Sequence, residues 1–191
     1  YHPADTSIVY GAASVFIRSS DGGLSFEDTV IGSNPVRLEL AVTPNQPDLL
    51  YVLEANNASR FGSLQRSIDA GLTFGIMSDS PNILGASETG DSYDGQASYD
   101  LALVVSPENP DYIIAGGINA WRSEDAGQTW ILSSEYHYED GALDYTHADI
   151  HYFLSVESRI FCASDGGLFV TDNDGVSWSD LSAGLNISEI Y

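Results

Sequence analysis

Lysine is absent from the chain: its six basic residues are all arginine, at 18, 37, 60, 66, 122 and 159, against 28 aspartates and glutamates and a formal net charge of -22. A surface this acidic repels phosphate backbones and anionic headgroups, which argues against nucleic acid as a partner, and it attracts divalent cations and tolerates high salt. Cysteine occurs once, so no intrachain disulfide exists; Ile160, Phe161 and Ala163 around Cys162 predict a buried, inert thiol. No run of about 18 apolar residues is present, so membrane insertion is not expected, and no signal peptide is visible. The chain begins on Tyr1 rather than Met, and a processed or excised piece is the expectation. Composition is ordinary for a folded domain, 43% hydrophobic and 11% aromatic over 191 residues, enough for a sizeable core. Asn57-Ala58-Ser59 and Asn186-Ile187-Ser188 match the short glycosylation acceptor pattern.

Against these absences stands a repeat. Ser19 to Phe26, Ser67 to Phe74, Ser123 to Trp130 and Thr171 to Trp178 share the octet Ser/Thr-x-Asp-x-Gly-x-Thr/Ser-aromatic, the fourth with Asn173 in place of Asp21, Asp69 and Asp125. Each octet follows a strand-like run and ends in an aromatic that opens another, so it reads as a hairpin turn. The Asp or Asn bonds nearby backbone N–H groups, Gly supplies a positive φ, the hydroxyls tie the two sides, and the aromatic anchors the turn to the core. These residues are expected to be structural.

A second repeated element precedes each turn. Ala41 to Val52, with Pro44 and Pro47, aligns with Val104 to Ala115, with Pro107 and Pro110, and Tyr1 to Gly11 is a third version. Each unit then reads as four strands, and the octets recur at intervals of 48, 56 and 48 residues. Four-stranded units of that length are the blades of a β-propeller, an all-β radial repeat. The blades are expected at about 1-35, 36-80, 99-135 and 146-184, within one propeller segment spanning 1-191. The first lacks most of its inner strand. Residues 185-191 read as the inner strand of a following or closing blade, so the chain is either an arc of a larger propeller, the favoured reading, or a ring closed within one chain or between copies.

Two long connections, 79–98 and 133–146, lead into the third and fourth inner strands and are expected on one face. Loops this long in a compact repeat are commonly functional. They carry Tyr93, Asp94, Gln96, Tyr136, Tyr138, Asp144 and Tyr145, with Tyr99 just beyond, and tyrosines with carboxylates and an amide suit a sugar or peptide groove. The same acidic loops suit Ca2+. Strand alternation would put His147, Asp149 and His151 on one side, as ligands for a divalent ion or as a polar network. Asp149 aligns with Asp100 of the preceding blade, and the pair could serve as general acid and base on a glycosidic bond.

The octet resembles the Asp-box, or BNR repeat, of sialidases, sortilin-like receptors, xyloglucan hydrolases and many secreted propellers, in which the box lies at the blade periphery. Sialidase activity is not implied: Arg18, Arg66 and Arg122 all fall just before an octet, as scaffold, and no Arg-Ile-Pro occurs. The succession Ser80 to Gly85, Asp94-Gly95-Gln96, Tyr99 to Ala102, Gly116 to Trp121, His147 to His151, Ser164 to Phe169 and Leu181 to Ile187 is similar to large secreted Asp-box proteins of the Bacteroidetes type. That resemblance implies a secreted or cell-surface protein. Two functions follow: a module binding glycan or extracellular protein on the face with the long loops, with the remaining blades of its parent chain or a second copy as neighbours, or a glycoside hydrolase using Asp100 and Asp149.

Overall fold

The computed structural model describes residues 1–137 and 144–185. Runs rich in Val, Ile, Leu, Phe and Tyr, punctuated by Pro, Asn, Asp and Gly, form strands, and the described residues contain no helix. The first sheet holds β1 (Val9–Ala12), β2 (Phe16–Ser19) and β3 (Glu27–Thr29); the second β4 (Pro35–Val42), β5 (Leu50–Asn56), β6 (Phe61–Ser67) and β7 (Gly75–Ser78). The third holds β8 (Ala102–Val105), β9 (Ile113–Gly116), β10 (Ala120–Ser123) and β11 (Ile131–Ser134), and the fourth β12 (Ile150–Val156), β13 (Arg159–Ser164), β14 (Gly167–Thr171) and β15 (Ser179–Asp180). Within each sheet, consecutive strands are antiparallel neighbours.

The cores lie between sheets rather than inside one. Tyr10 and Phe16 of the first sheet meet Leu50 and Val52 of the second. Tyr51, Leu53 and Leu64 meet Leu103, Ile113 and Trp121 of the third, whose Val104 and Ile114 meet Phe153, Cys162 and Phe169 of the fourth. β5 therefore alternates between two partners, and its first six residues are all buried. Strands β4, β8 and β12, each at one edge of the second, third and fourth sheets, line a shared cavity of about 220 Å³. This is a β-propeller arrangement, and the four sheets form an arc of it.

Each octet joins the two outermost strands of its sheet, away from that cavity. In the third, Asp125 Oδ1 accepts from Ser123 Oγ at 2.8 Å and from Thr129 N at 2.8 Å, while Oδ2 accepts from Thr129 Oγ1 at 2.7 Å. Asp21 and Asp69 repeat this set. Asn173 keeps it by reversing one partner, its Nδ2 donating to Ser177 Oγ at 2.9 Å. Where one positive φ was expected per turn there are two in succession, at Gly22 and Gly23, Ala70 and Gly71, Ala126 and Gly127, and Asp174 and Gly175. The glycine is also a contact surface: a Cβ on Gly127 would stand 2.0 Å from Leu64 Cδ2 of the preceding sheet. The aromatics of the second, third and fourth octets reach back the same way, Phe74 against Phe16 at 5.0 Å between ring centres, Trp130 Nε1 donating to Ser78 Oγ and Trp178 Nε1 to Ser133 Oγ, whereas Phe26 of the first, expected to anchor its turn, is exposed. Arg18 Nε donates forward to Ala70 O at 2.8 Å, a scaffold contact.

Candidate functional site at the start of the inner strands

The segment Gln96–Asp100 turns back on itself through Tyr99 N and Asp100 N, both donating to Gln96 O, and delivers Asp100 just ahead of β8. Asp100 is fully buried; its Oδ2 accepts from Gln96 Nε2 at 3.1 Å, and its Oδ1 has no hydrogen-bond partner within the protein. The same Gln96 Nε2 donates to Asp149 Oδ1, so one amide joins the two carboxylates across adjacent sheets. Burial pushes the Asp100 carboxyl up to about 7, with the Asp149 charge adding and the Gln96 bond and His151 opposing. Beside this pair, Asp165 Oδ1 is 2.6 Å from His151 Nε2, and its Oδ2 accepts from Tyr99 Oη at 3.1 Å. The Tyr99 and His151 rings meet edge to face at 4.9 Å. Arg37 of β4 closes the third side, donating to Tyr99 O at 2.8 Å and Leu101 O at 3.2 Å. Three sheets thus supply one polar cluster of acids, amide, phenol, imidazole and guanidinium.

The alternation expected over residues 147–151 does not occur. Asp149 is left-handed, with φ of 62°, and β12 starts only at Ile150. The register then shifts between Ile150 and Tyr152, a bulge that re-aims His151 toward Asp165. His147 is drawn elsewhere, its Nδ1 on Ala148 O at 3.1 Å and its ring against Gly166. Among the described residues no three His, Cys, Asp or Glu side chains are grouped to hold a metal ion. The expected His147, Asp149 and His151 ligand set is therefore not assembled, and neither is a Ca2+ cage from acidic loop residues among them.

Of the loop residues, Gln96 and Tyr99 are in the cluster. Tyr93 is 85% exposed over a separate cleft. Asp94 Oδ1 accepts from Ala86 N at 3.1 Å and fixes its own loop. Tyr136 N donates to Asn119 Oδ1 at 3.0 Å, Asp144 Oδ2 accepts from Trp178 N at 2.6 Å, and Tyr145 packs on Phe169 at 5.9 Å. Tyr138 lies outside the described residues. Loop 79–98 also contributes Ile83, Leu84 and Ala97 to the core between the second and third sheets.

Asp165 escaped the sequence reading as a site residue. It sits in the β13–β14 turn, and because Ile150 pairs with Ser164 that turn shares an edge with the start of β12. The signal available was the hairpin order, which returns the second turn of a blade to the face where its inner strand begins.

A propeller arc with an acidic site where its inner strands begin is the class that fold and geometry define. No protein-family model matches the chain, and no curated protein does. Solved structures with the same fold include the GH74 xyloglucanase of Xanthomonas campestris, at 22% identity and a TM-score of 0.67 over 98% of this chain and 30% of that one. The GH74 enzyme of Niastella koreensis gives 15% identity and 0.61 over 94% and 28%, and YCF48 of Cyanidioschyzon merolae 14% and 0.54 over 91% and 51%. This chain spans less than a third of the GH74 chains, and the likeness is one of fold.

Proposed function

We propose that this propeller module binds a glycan on the face bearing loop 79–98, with Asp149 at the site and the buried Asp100 behind it, joined to it through Gln96. The observation that carries the reading is the shared Gln96 amide: two carboxylates from adjacent sheets already present their oxygens to the N–H groups of a single nitrogen. Sugar hydroxyls are donors of the same kind, and the Tyr99 and His151 rings meet beside the pair. The fold shared with two GH74 enzymes is in keeping with a carbohydrate ligand. A glycan array probed with the full chain tests this. Binding that falls at least tenfold in Asp149→Asn, with an unchanged melting temperature, supports it; an array without binding, or binding indifferent to Asp149→Asn, overturns it.

A second reading, glycoside hydrolysis, is favoured by one specific observation. The Asp100 carboxyl, pushed up to about 7 by burial, is joined through the single Gln96 amide to the Asp149 carboxyl of the next sheet, a pairing an acid and a base require. Release of reducing ends from the array's best ligand, abolished in both Asp100→Asn and Asp149→Asn, would establish turnover. Binding without release leaves the module as a receptor.

A further inference from the structure

Beside this site, loop 79–98 and the tip of the β5–β6 hairpin enclose a cleft of about 420 Å³, lined among others by Arg60, Asp79, Asp91 and Tyr93. We propose that this cleft is a second sugar-binding position, selective for an uncharged sugar unit. The inference rests on the glycan reading above and extends it to a different set of residues.

Its walls are pinned before any ligand arrives. Asn82 accepts at Oδ1 from Phe61 N at 3.0 Å and donates from Nδ2 to Ser92 O and Asp94 O, at 3.1 and 2.9 Å. Asn56 Oδ1 accepts from Arg60 N at 3.2 Å, and Ala97 N donates to Ser59 O at 3.1 Å, so hairpin and loop are one rigid unit. On that frame stands a broad ring exposed to solvent: Tyr93 is 85% exposed, yet the Arg60 guanidinium lies over it, 5.5 Å from its centre. A positioned, exposed aromatic is a stacking platform for the apolar face of a sugar ring. Arg60, which lines the cleft, adds a second signal, for its Nε is buried without any hydrogen-bond partner in the protein. A ligand oxygen would satisfy that donor.

The charge of the cleft decides the class of ligand. One arginine and two aspartates, Asp79 and Asp91, line the cleft, on a chain of net charge -22. A uronic acid or sulfated sugar would meet repulsion from both, whereas neutral hydroxyls can donate to the carboxylates and accept from Arg60. Tyr93 and Gln96 are three residues apart, so their backbones are separated by no more than about 11 Å. One short oligosaccharide can therefore reach both the cleft and the carboxylate pair.

Calorimetric titration of the full chain with a neutral xyloglucan oligosaccharide and with an oligogalacturonate tests the assignment. The neutral ligand should bind in preference, and Tyr93→Ala and Arg60→Lys should each weaken it about five- to tenfold, the loss of one stacking or hydrogen-bonded contact. If both variants bind as the parent does while Asp149→Asn is impaired, the carboxylate site stands and the second position falls. If Tyr93→Ala is impaired and Asp149→Asn is not, the second position stands and the carboxylate reading falls. Preference for the oligogalacturonate, or binding of neither, overturns the inference; equal melting temperatures of parent and variants exclude unfolding as the cause.

Discussion

Asp100 is buried with one oxygen unpartnered, so its neutral form is the one the folded chain favours. Its folded pKa of about 7 lies above the ordinary 3.8, so the stability it contributes is fully present below about pH 4 and is lost as pH rises through 7. Asp100→Asn should remove that slope and make the chain more stable than the parent at pH 8, by on the order of 2 kcal/mol, in urea melts at pH 5 and 8. Equal slopes would mean that the carboxyl is solvated. At this scale the sequence was only partly legible. The equivalence of Asp100 and Asp149 could be read from the repeat, because both begin inner strands. The left-handed Asp149 and the bulge at His151 could not, because neither leaves a mark in hydrophobic periodicity.

The octet turns are short-range chemistry, with every bond of Asp125 made within four residues, and so they could be read from the chain directly. Asp125→Ala strands those donors and should cost about 1–3 kcal/mol in thermal melts. Asp125→Asn should cost much less, since the fourth octet already works with Asn173; equal losses would contradict the reversed-partner geometry. Gly127→Ala is expected to be worse than its chemistry suggests, because φ of 83° and the closeness of Leu64 both oppose a methyl group, and a loss of about 2–4 kcal/mol should appear. Hydroxyl and amide bonds from Thr73 and Ser67 hold the Asp69 carboxyl down to about 2, from 3.8. Its folded pKa is depressed, so its stabilisation is present above about pH 4 and lost as pH falls toward 2, and Asp69→Asn should flatten the acid limb of the stability curve. Loop 79–98 was less legible as an element: its length marked it for function, but Ile83, Leu84 and Ala97 show it is also part of the core.

Over the whole molecule, fold and charge act on different quantities. The radial arrangement followed from the repeat length and from the four strand-like runs in each unit. The net charge of -22 opposes that compactness by self-repulsion, so raising NaCl from about 10 to 150 mM should raise the melting temperature by several degrees; a fall would show that attractive pairs dominate instead. What composition could not supply is the meeting of Arg37, Gln96, Asp100, Asp149, His151 and Asp165, which depends on three sheets converging. The most direct test of the account is a side-chain carboxyl 13C NMR titration of Asp100, in the free chain and with the neutral oligosaccharide bound. The account predicts a midpoint near 7 in the free chain and a clear displacement on binding. A midpoint near 3.8, or one that the ligand leaves in place, would contradict it.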